Sequence, residues 1–550
     1  MKIFSSTILW LTFFLFFGCS NQFNHAGKAI FKYNESAGLT SLDPAFARDL
    51  AHIWVCNQLY NGLVQLDDHL NVRPAIAKKW EISENGTLYT FHLRQDVYFH
   101  PDISLNNKKR KVTAFDFEYS FKRLVDPKTA SPGSWIFNNV KKDEKGFHFK
   151  ALNDSTFSIR LNNPFPPFLG ILTMPYCSVI PRESVAFYGK DFRKHPVGTG
   201  PFYLINWVEN IKLVLRKNPN YFEKENDKRL PYLDGVAITF LKDKMTAFME
   251  FVKGNLDMIS GITPQYKDEL LTRDGRLRKK YSGKFNMLSM PYLNTEYLGI
   301  LQDKKAPVLK NNPLNDLEVR QAINYGFDRA KMIKFLRNGI GTPGTKGIIP
   351  KGLPGYTETQ NYGYNYQPDL SRKLLKKAGY DENNPLPPIE LTTTPEYLDM
   401  VKFIQSQLKE VGITININLS PPATIREMKA HAKLPFFRAS WIADYPDAEN
   451  YLSLFYSENF APNGPNYTHY SSEEYDSLYL KAIQTFDDST RFQLYTQMDS
   501  LVMADAPVVI LYYDEVIRFV QNNITNLTAN PINLLNLKHV KKSVPKANKN

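Results

Sequence analysis

The segment Arg438-Ala439-Ser440-Trp441-Ile442-Ala443-Asp444-Tyr445-Pro446-Asp447 places a cation, an indole, a carboxylate and a phenol within eight residues. A strand-like run over residues 434–439 leads into it, and a helix-like run over residues 449–455 follows it. Pro446 disfavours helical backbone at Tyr445, so the pattern predicts a strand that ends in a tight bend. Such a cluster is also typical of a packed aromatic beside a turn-forming Asp. Read functionally, Asp444 suits a cationic group and Arg438 an anionic one, which together suit a zwitterion.

The length and composition predict a protein of two or three lobes. The chain has 550 residues, too many for one core, and 13% of them are aromatic, so some rings are available to line an internal cavity. The net charge is +13, with the densest basic runs at residues 108–111 and 538–549. Because such runs are typical of solvated faces and chain ends, nucleic-acid binding is not expected.

The three cysteines, Cys19, Cys56 and Cys177, do not form a metal or redox motif. No C-x-x-C pair is present, which argues against structural zinc and dithiol chemistry. We expect Cys56 and Cys177 to be buried free thiols, and a disulfide between them stays open because sequence does not give the distance between their Cα atoms.

The N-terminus resembles the signal of a bacterial lipoprotein. After Met1 and Lys2, residues 3–17 are mostly apolar, long enough for a secretory signal and short for a membrane span. Gly18 precedes the lone Cys19, while Phe16 and Phe17 stand where such sites usually carry leucine and a small residue. We expect a signal peptide over residues 1–18, a lipid on Cys19 and a polar tether over residues 19–28, with an uncleaved anchor as the alternative.

Catalytic and metal-binding motifs are absent from the sequence. There is no H-E-x-x-H, G-x-S-x-G or Walker-type loop, and no two of the ten histidines are four residues apart. The numerous carboxylates leave an Asp/Glu pair for glycoside hydrolysis open, but none is singled out. We therefore expect no enzyme activity, no cofactor and no bound metal.

Strand-like and helix-like segments alternate along the chain. Residues 236–241 and 256–258 read as strands around a helix over 245–252, and a strand over 389–393 precedes a helix over 397–410. This alternation predicts an α/β fold.

Two further segments carry specific expectations. The apolar periodicity of residues 317–336 predicts one amphipathic helix, and the apolar run over residues 174–181 predicts a strand.

Several motifs resemble the family-5 extracellular solute-binding proteins of ABC importers, which include the oligopeptide- and dipeptide-binding proteins. The likeness extends over almost the whole chain after the N-terminus. The motifs are Trp441-x-x-Asp444, the helix end Tyr60-Asn61-Gly62-Leu63, the turn Pro74-Ala75-Ile76-Ala77, a strand ending at His100, the helix start Thr113-Ala114-Phe115-Asp116 and the turn Gly198-Thr199-Gly200-Pro201. Most of them build the fold rather than contact a ligand: Thr113 is a natural N-cap, and glycines permit backbone that other residues resist.

The resemblance implies two α/β lobes joined by hinge strands, with an extra domain inserted in the first lobe. The hinge would lie near residues 289–291 and Asp514. The implied parts are a base lobe (domain I) over residues 29–62, 195–290 and 515–545, an inserted domain (domain II) over 63–194, and a second lobe (domain III) over 291–514.

The resemblance also implies a binding site. In that family the Asp of a W-x-x-D segment pairs with the α-ammonium of a peptide, so this role falls to Asp444. Arg438 resembles the family arginine that meets the carboxylate of a short peptide. Trp441 and Tyr445 would form the walls of side-chain pockets. Trp135 and Asn466 are further candidate ligand-binding residues.

The implied function is capture of short peptides in a closing cleft and their delivery to an ABC permease with its ATPase subunits. The protein would be a monomer in the periplasm or cell envelope, held at a membrane through Cys19. Three alternatives stay open: the same fold binding a metal chelate, haem or another non-peptide solute, a glycan-binding surface lipoprotein, and a periplasmic enzyme.

Overall fold

The computed structural model describes residues 27–144 and 146–544. The predicted signal peptide, Cys19 and most of the predicted tether lie outside these ranges. Within them, every helix is too short or too polar to cross a membrane. The same residues contain no group of three or more His, Cys, Asp or Glu side chains placed to hold a metal ion.

The strands are between two and 16 residues long. In chain order they are β1 Ile30–Asn34, β2 Val64–Leu66, β3 Val72–Pro74, β4 Ala77–Ser83, β5 Leu88–Leu93, β6 Lys142–Asp143, β7 Gly146–Phe147, β8 Phe149–Asn153, β9 Thr156–Arg160, β10 Phe202–Val208, β11 Lys212–Lys217, β12 Lys224–Glu225, β13 Lys228–Arg229, β14 Gly235–Thr239, β15 Met258–Ser260, β16 Phe285–Ile300, β17 Thr342–Pro343, β18 Ile389–Thr393, β19 Ile415–Leu419, β20 Phe436–Ile442, β21 Val508–Gln521, β22 Ile524–Thr525 and β23 Lys541–Lys542.

The α-helices lie between these strands, as the sequence pattern predicts for an α/β protein. They are α1 Leu50–Leu59, α2 Ala114–Leu124, α3 Phe168–Ile171, α4 Arg182–Tyr188, α5 Lys244–Val252, α6 Lys267–Leu270, α7 Leu317–Tyr325, α8 Arg329–Leu336, α9 Pro368–Lys377, α10 Leu398–Glu410, α11 Pro422–Ala430, α12 Glu449–Leu452, α13 Glu473–Gln484 and α14 Asp488–Asp505.

One mixed sheet of eleven strands contains strands from both the N-terminal and the C-terminal parts of the described chain. Its order is β10-β11-β14-β1-β15-β21-β16-β20-β18-β19, and β17 pairs with β21. β1 is parallel to β14 and β15, and β18 is parallel to β19 and β20. The predicted α/β fold class is confirmed.

The two longest strands, β16 and β21, pair antiparallel in the middle of this sheet. Their register shifts between Pro291 and Thr295, which face Glu515 and Tyr513 on the other strand. Pro291 has no N–H to donate, and a register shift bends the paired strands. The irregularity lies beside the predicted hinge at residues 289–291. The hinge and the lobe boundaries remain predictions.

A separate four-stranded antiparallel sheet, in the order β4-β5-β9-β8, is covered by α2. The predicted start of α2 is confirmed, because Thr113 and Asp116 form a reciprocal capping box. Aromatic rings from α2, this sheet and the 3-10 helix Ser134–Phe137 pack with centroids 4.8 to 6.0 Å apart. They belong to Phe117, Phe121, Phe137, Phe149 and Phe157.

The Gly-Thr-Gly-Pro turn packs against the end of α1. A Cβ atom on Gly198 would lie 2.0 Å from the carbonyl oxygen of Leu59, and one on Gly200 would lie 2.4 Å from its carbonyl carbon. Neither glycine has a left-handed backbone conformation. Close approach of two backbone segments, rather than unusual backbone angles, therefore requires glycine here.

Two predicted elements were wrong. The single helix predicted over residues 317–336 is two helices, α7 and α8, because Asp328 caps the start of α8 by accepting a hydrogen bond from the Lys331 N–H. The strand predicted over residues 174–181 contains instead a 3-10 helix at Pro175–Cys177, whose proline stands at the first position. Cys56 and Cys177 are both buried and free, as predicted.

Candidate functional site

Residues 438–447 form most of strand β20 and the bend after it. β20 pairs with β16 from Phe436 to Ile442, but with β18 only at Phe437. The β18-side edge of β20 beyond Phe437 therefore carries no ladder within the described residues. An edge of this kind offers backbone N–H and C=O groups to an added strand.

Two buried side chains hold the end of β20 in place. The Asn450 Oδ1 atom accepts hydrogen bonds from the Trp441 indole N–H, at 2.9 Å, and from the Asp444 backbone N–H, at 3.2 Å. The Tyr451 hydroxyl lies 2.7 Å from the Leu293 carbonyl oxygen and 3.0 Å from that of Trp441. These contacts fix the backbone on both sides of Ile442, so the position of Asp444 is set by the rigid core beneath it.

Asp444 lies on a cavity of about 180 Å³, which we name the Asp444 cavity. Distant parts of the chain meet there. Arg48 and Asn57 come from the α1 region, Thr173 and Pro175 from the segment after α3, and Asp444 from the end of β20. A concave space where several segments meet is a common form of ligand site.

The Asp444 carboxylate faces this cavity without a cationic partner. The side chain is accessible to water. The protein atoms around the cavity nevertheless desolvate its carboxyl group, which raises the pKa of Asp444 to about 6, while a hydrogen bond from Asn450 lowers it. No Lys, Arg or His of the described residues forms an ion pair with it. A bound cation would supply the missing counter-charge.

The cavity has three other charged side chains. Asp49 caps α1 and accepts a hydrogen bond from the His52 ring at 2.6 Å. Lys538 pairs with Glu223 at 2.5 Å. Arg48 is exposed, and its side chain makes no hydrogen bond or ion pair with the described residues. Arg48 and Asp444 are therefore an unpaired cation and an unpaired anion on one cavity.

Two larger spaces adjoin the Asp444 cavity. The first, here called the basic recess, has a volume of about 730 Å³, shares Arg48 with the cavity, and is lined by five Lys or Arg side chains and one carboxylate. The second, here called the acidic chamber, has a volume of about 600 Å³, shares Ile442, and is lined by six carboxylates and two Lys or Arg side chains. Charge of opposite sign thus flanks the cavity.

Arg438 already has a partner inside the protein. Its guanidinium forms an ion pair with Glu296 on β16 and lies 3.5 Å from the centre of the Tyr397 ring. Burial raises the pKa of the Glu296 carboxyl, and the charge of Arg438 opposes that rise. A ligand carboxylate at Arg438, as the sequence predicts, would therefore compete with the Glu296 carboxylate of β16.

Tyr445 and Asn466 are both buried. The Tyr445 hydroxyl donates a hydrogen bond to Glu449, and its ring packs in the core that includes Phe168. The Asn466 side-chain amide donates to the carbonyl oxygens of Tyr456, at 3.1 Å, and Tyr470, at 2.9 Å. In this conformation both side chains serve the protein interior rather than the cavity surface.

The two tryptophans lie in different settings. Trp441 is half-buried, three residues from Asp444, with its indole N–H committed to Asn450. Trp135 is 38% exposed in the 3-10 helix Ser134–Phe137 and lies outside the Asp444 cavity, the basic recess and the acidic chamber. The structure thus brings Trp441, and not Trp135, close to Asp444.

Sequence reasoning missed Arg48 and Asn450. Arg48 precedes α1 in a loop without a recognisable motif, and an unpaired Arg carries no sequence signal. Asn450 lies six residues after Asp444, in the first turn of a helix, where its side chain reads as an ordinary polar position.

Comparisons with known proteins agree on one family. The model of the bacterial extracellular solute-binding proteins, family 5, matches residues 71–463. The probable deoxycholate-binding periplasmic protein YgiS of Escherichia coli (strain K12) is 28% identical and covers 90% of both chains. The periplasmic oligopeptide-binding protein OppA of Salmonella typhimurium is 26% identical, over 89% of this chain and 88% of that one.

A solved structure of a periplasmic binding protein has the same fold. The periplasmic binding protein DppA from Helicobacter pylori, in complex with the peptide STSA, superposes with a TM-score of 0.76 and 26% identity, over 93% of this chain and 98% of that one.

Proposed function

This chain belongs to the bacterial extracellular solute-binding proteins of family 5, and from that premise we propose that it captures short peptides by their α-ammonium group. The observation that carries the proposal is the Asp444 carboxylate, which lies on the cavity without a cationic partner among the described residues. A peptide ammonium supplies the missing charge and three hydrogen-bond donors. The pairing is strong because surrounding protein excludes much of the water that would screen it.

The peptide backbone has a binding partner in the same place. The β18-side edge of β20 beyond Phe437 leads towards Asp444. A peptide laid along this edge forms main-chain hydrogen bonds that do not depend on its side chains, so affinity comes without strict sequence specificity. Trp441 packs beside this path.

Closure of the cleft completes the mechanism that we propose. The base lobe and second lobe, with the boundaries predicted above, rotate about β16 and β21 near their register shift. The ligand favours the closed state because it contacts both sides only there.

We further propose that the protein works outside the cytoplasm as a monomer and is held at a membrane by a lipid on Cys19. There it delivers its ligand to an ABC permease with ATPase subunits. It needs no cofactor and carries out no reaction.

A second candidate is a non-peptide carboxylate. The relative YgiS is named as a probable deoxycholate-binding protein, and Arg48 offers an unpaired cation. Deoxycholate has a carboxylate but no ammonium, so it leaves Asp444 unpaired in the cavity. The charge of Asp444 therefore favours the peptide over the bile acid.

A ligand screen tests the choice between these candidates. Thermal unfolding and calorimetry of the purified protein with di- to pentapeptides, deoxycholate, nickel–histidine and haem should show stabilisation by peptides alone. Stabilisation by deoxycholate, a metal chelate or haem, without a peptide response, would overturn the proposal.

Peptide affinity should depend on pH through Asp444. The carboxylate must be ionised to pair with an ammonium, and its pKa of about 6 means that affinity falls as pH falls through 6. We expect Kd to rise about tenfold from pH 7 to pH 5, since the peptide ammonium stays protonated throughout. Calorimetry at both values measures the change.

The Asp444→Asn variant is the control for that pH series. It retains Asp49 and Lys538 of the cavity, and His52, which is paired with Asp49, so its weak residual binding should be nearly independent of pH. An equal pH dependence in both proteins would assign the effect to another group.

A further inference from the structure

We propose that Arg48 binds a carboxylate of the ligand, so that the protein selects peptides with an anionic group close to the α-ammonium. This inference rests on the proposed function and names the second end of the same ligand. Arg48 lies on the Asp444 cavity together with Asp444 itself. Its side chain has no hydrogen-bond or ion-pair partner among the described residues, which distinguishes it from the other cation of that cavity, Lys538.

Arg48 and Asp444 act on the same buried hydroxyl. Burial raises the pKa of Tyr176, the charge of Asp444 raises it further, and the charge of Arg48 lowers it. Both charges therefore lie within electrostatic range of one hydroxyl. Because Arg48 and Asp444 also line the same cavity, one short ligand is the form that would contact both.

The surroundings of Arg48 reinforce a preference for anions. The basic recess begins at Arg48 and also contains Lys128 and Lys190, both exposed. The acidic chamber, which shares Ile442 with the cavity, repels a carboxylate. This asymmetry orients a zwitterionic peptide with its ammonium at Asp444 and its carboxylate towards Arg48.

The internal pairing of Arg438 leaves this role to Arg48. Glu296 neutralises Arg438, whereas no described carboxylate is paired with Arg48. A carboxylate that bound at Arg438 would first have to displace a buried one. A carboxylate that binds at Arg48 displaces no ion-paired carboxylate of the described residues, although it approaches Asp49, whose pKa the charge of Arg48 lowers.

The ligand carboxylate has two chemical sources, the peptide C-terminus and an acidic side chain. Four ligands separate them: Ala-Ala, Ala-Ala amide, Ala-Glu amide and Ala-Gln amide. The purified protein should bind Ala-Ala about tenfold or more tightly than its amide, because a hydrogen bond to a charged group contributes roughly 1.5–3 kcal/mol. If an acidic side chain also reaches Arg48, Ala-Glu amide regains the affinity that Ala-Gln amide lacks.

The variant Arg48→Gln should remove these preferences while it keeps binding of Ala-Ala amide. Arg216→Gln, which changes an exposed arginine on β11 outside the three spaces, should keep them. Thermal unfolding of both variants checks that they fold.

Three results would overturn the inference. The first is equal affinity for Ala-Ala and Ala-Ala amide together with equal affinity for Ala-Glu amide and Ala-Gln amide in the unchanged protein. The others are a carboxylate preference that survives Arg48→Gln, and a preference that Arg216→Gln removes equally. If Asp444-dependent binding persists in such a case, the proposed function stands and this inference fails. A protein that binds neither these four ligands nor tri-alanine contradicts both.

Discussion

The Asp444→Asn variant is expected to bind tri-alanine at least about 30-fold more weakly than the unchanged protein, because truncating one member of a buried, hydrogen-bonded charge pair costs roughly 2–5 kcal/mol. The substitution keeps the shape of the side chain and removes its charge. Since the carboxylate forms no ion pair with the described residues, its substitution should not lower the stability. Calorimetric titration measures the affinity, and thermal unfolding measures the stability.

Glu474→Gln is a matched control for this substitution. Glu474 is an exposed carboxylate in the first turn of α13, so its variant loses the same charge away from the cavity. We expect its peptide affinity to equal that of the unchanged protein. Retention of affinity in Asp444→Asn, with normal folding, would mean that the ammonium has another partner.

Glu296→Gln is expected to lower the free energy of unfolding by about 3–5 kcal/mol, since removal of one member of a buried ion pair leaves the other charge unpaired. The side chains of Glu296 and Arg438 are 4% and 14% exposed, and β16 and β20 bring them together. Denaturant unfolding followed by circular dichroism measures the loss.

The double variant Glu296→Gln/Arg438→Met is the control. It removes both charges and keeps an apolar stem against the Tyr397 ring, so it should recover most of the lost stability. Glu296→Gln within about 1 kcal/mol of the unchanged protein would contradict the buried pair.

The same double variant reports on the role of Arg438 in binding. If the Glu296–Arg438 pair is purely structural, tri-alanine affinity should change less than threefold. A larger loss in a well-folded double variant would return Arg438 to the ligand site.

Local patterns predicted much of this fold. Alternating strands and helices indicated the α/β class, the capping pattern at Thr113 marked the start of α2, and Pro446 placed a bend just after Asp444. These features depend on residues a few positions apart, whose preferences act before any tertiary contact forms. The break between α7 and α8 was missed because the apolar periodicity continues across Asp328.

The partners of the site residues depend on long-range contacts. The Glu296 carboxylate that neutralises Arg438 is 142 residues away, and Arg48 reaches the Asp444 cavity from the other end of the chain. Nothing in the local sequence of Arg438 distinguishes a paired guanidinium from a free one. The burial of Tyr445 is also not predictable from local sequence, because its ring packs in the core that includes Phe168 and its hydroxyl donates a hydrogen bond to Glu449.

A four-way calorimetric comparison tests the central claim most directly. It measures tri-alanine and N-acetyl-tri-alanine against the unchanged protein and Asp444→Asn. If the Asp444 carboxylate holds the α-ammonium, acetylation should cost at least about 2 kcal/mol of binding free energy in the unchanged protein and little in the variant. Equal costs of acetylation in both proteins would contradict the pairing, and tight binding of the acetylated peptide to the unchanged protein would remove the ammonium from the mechanism altogether.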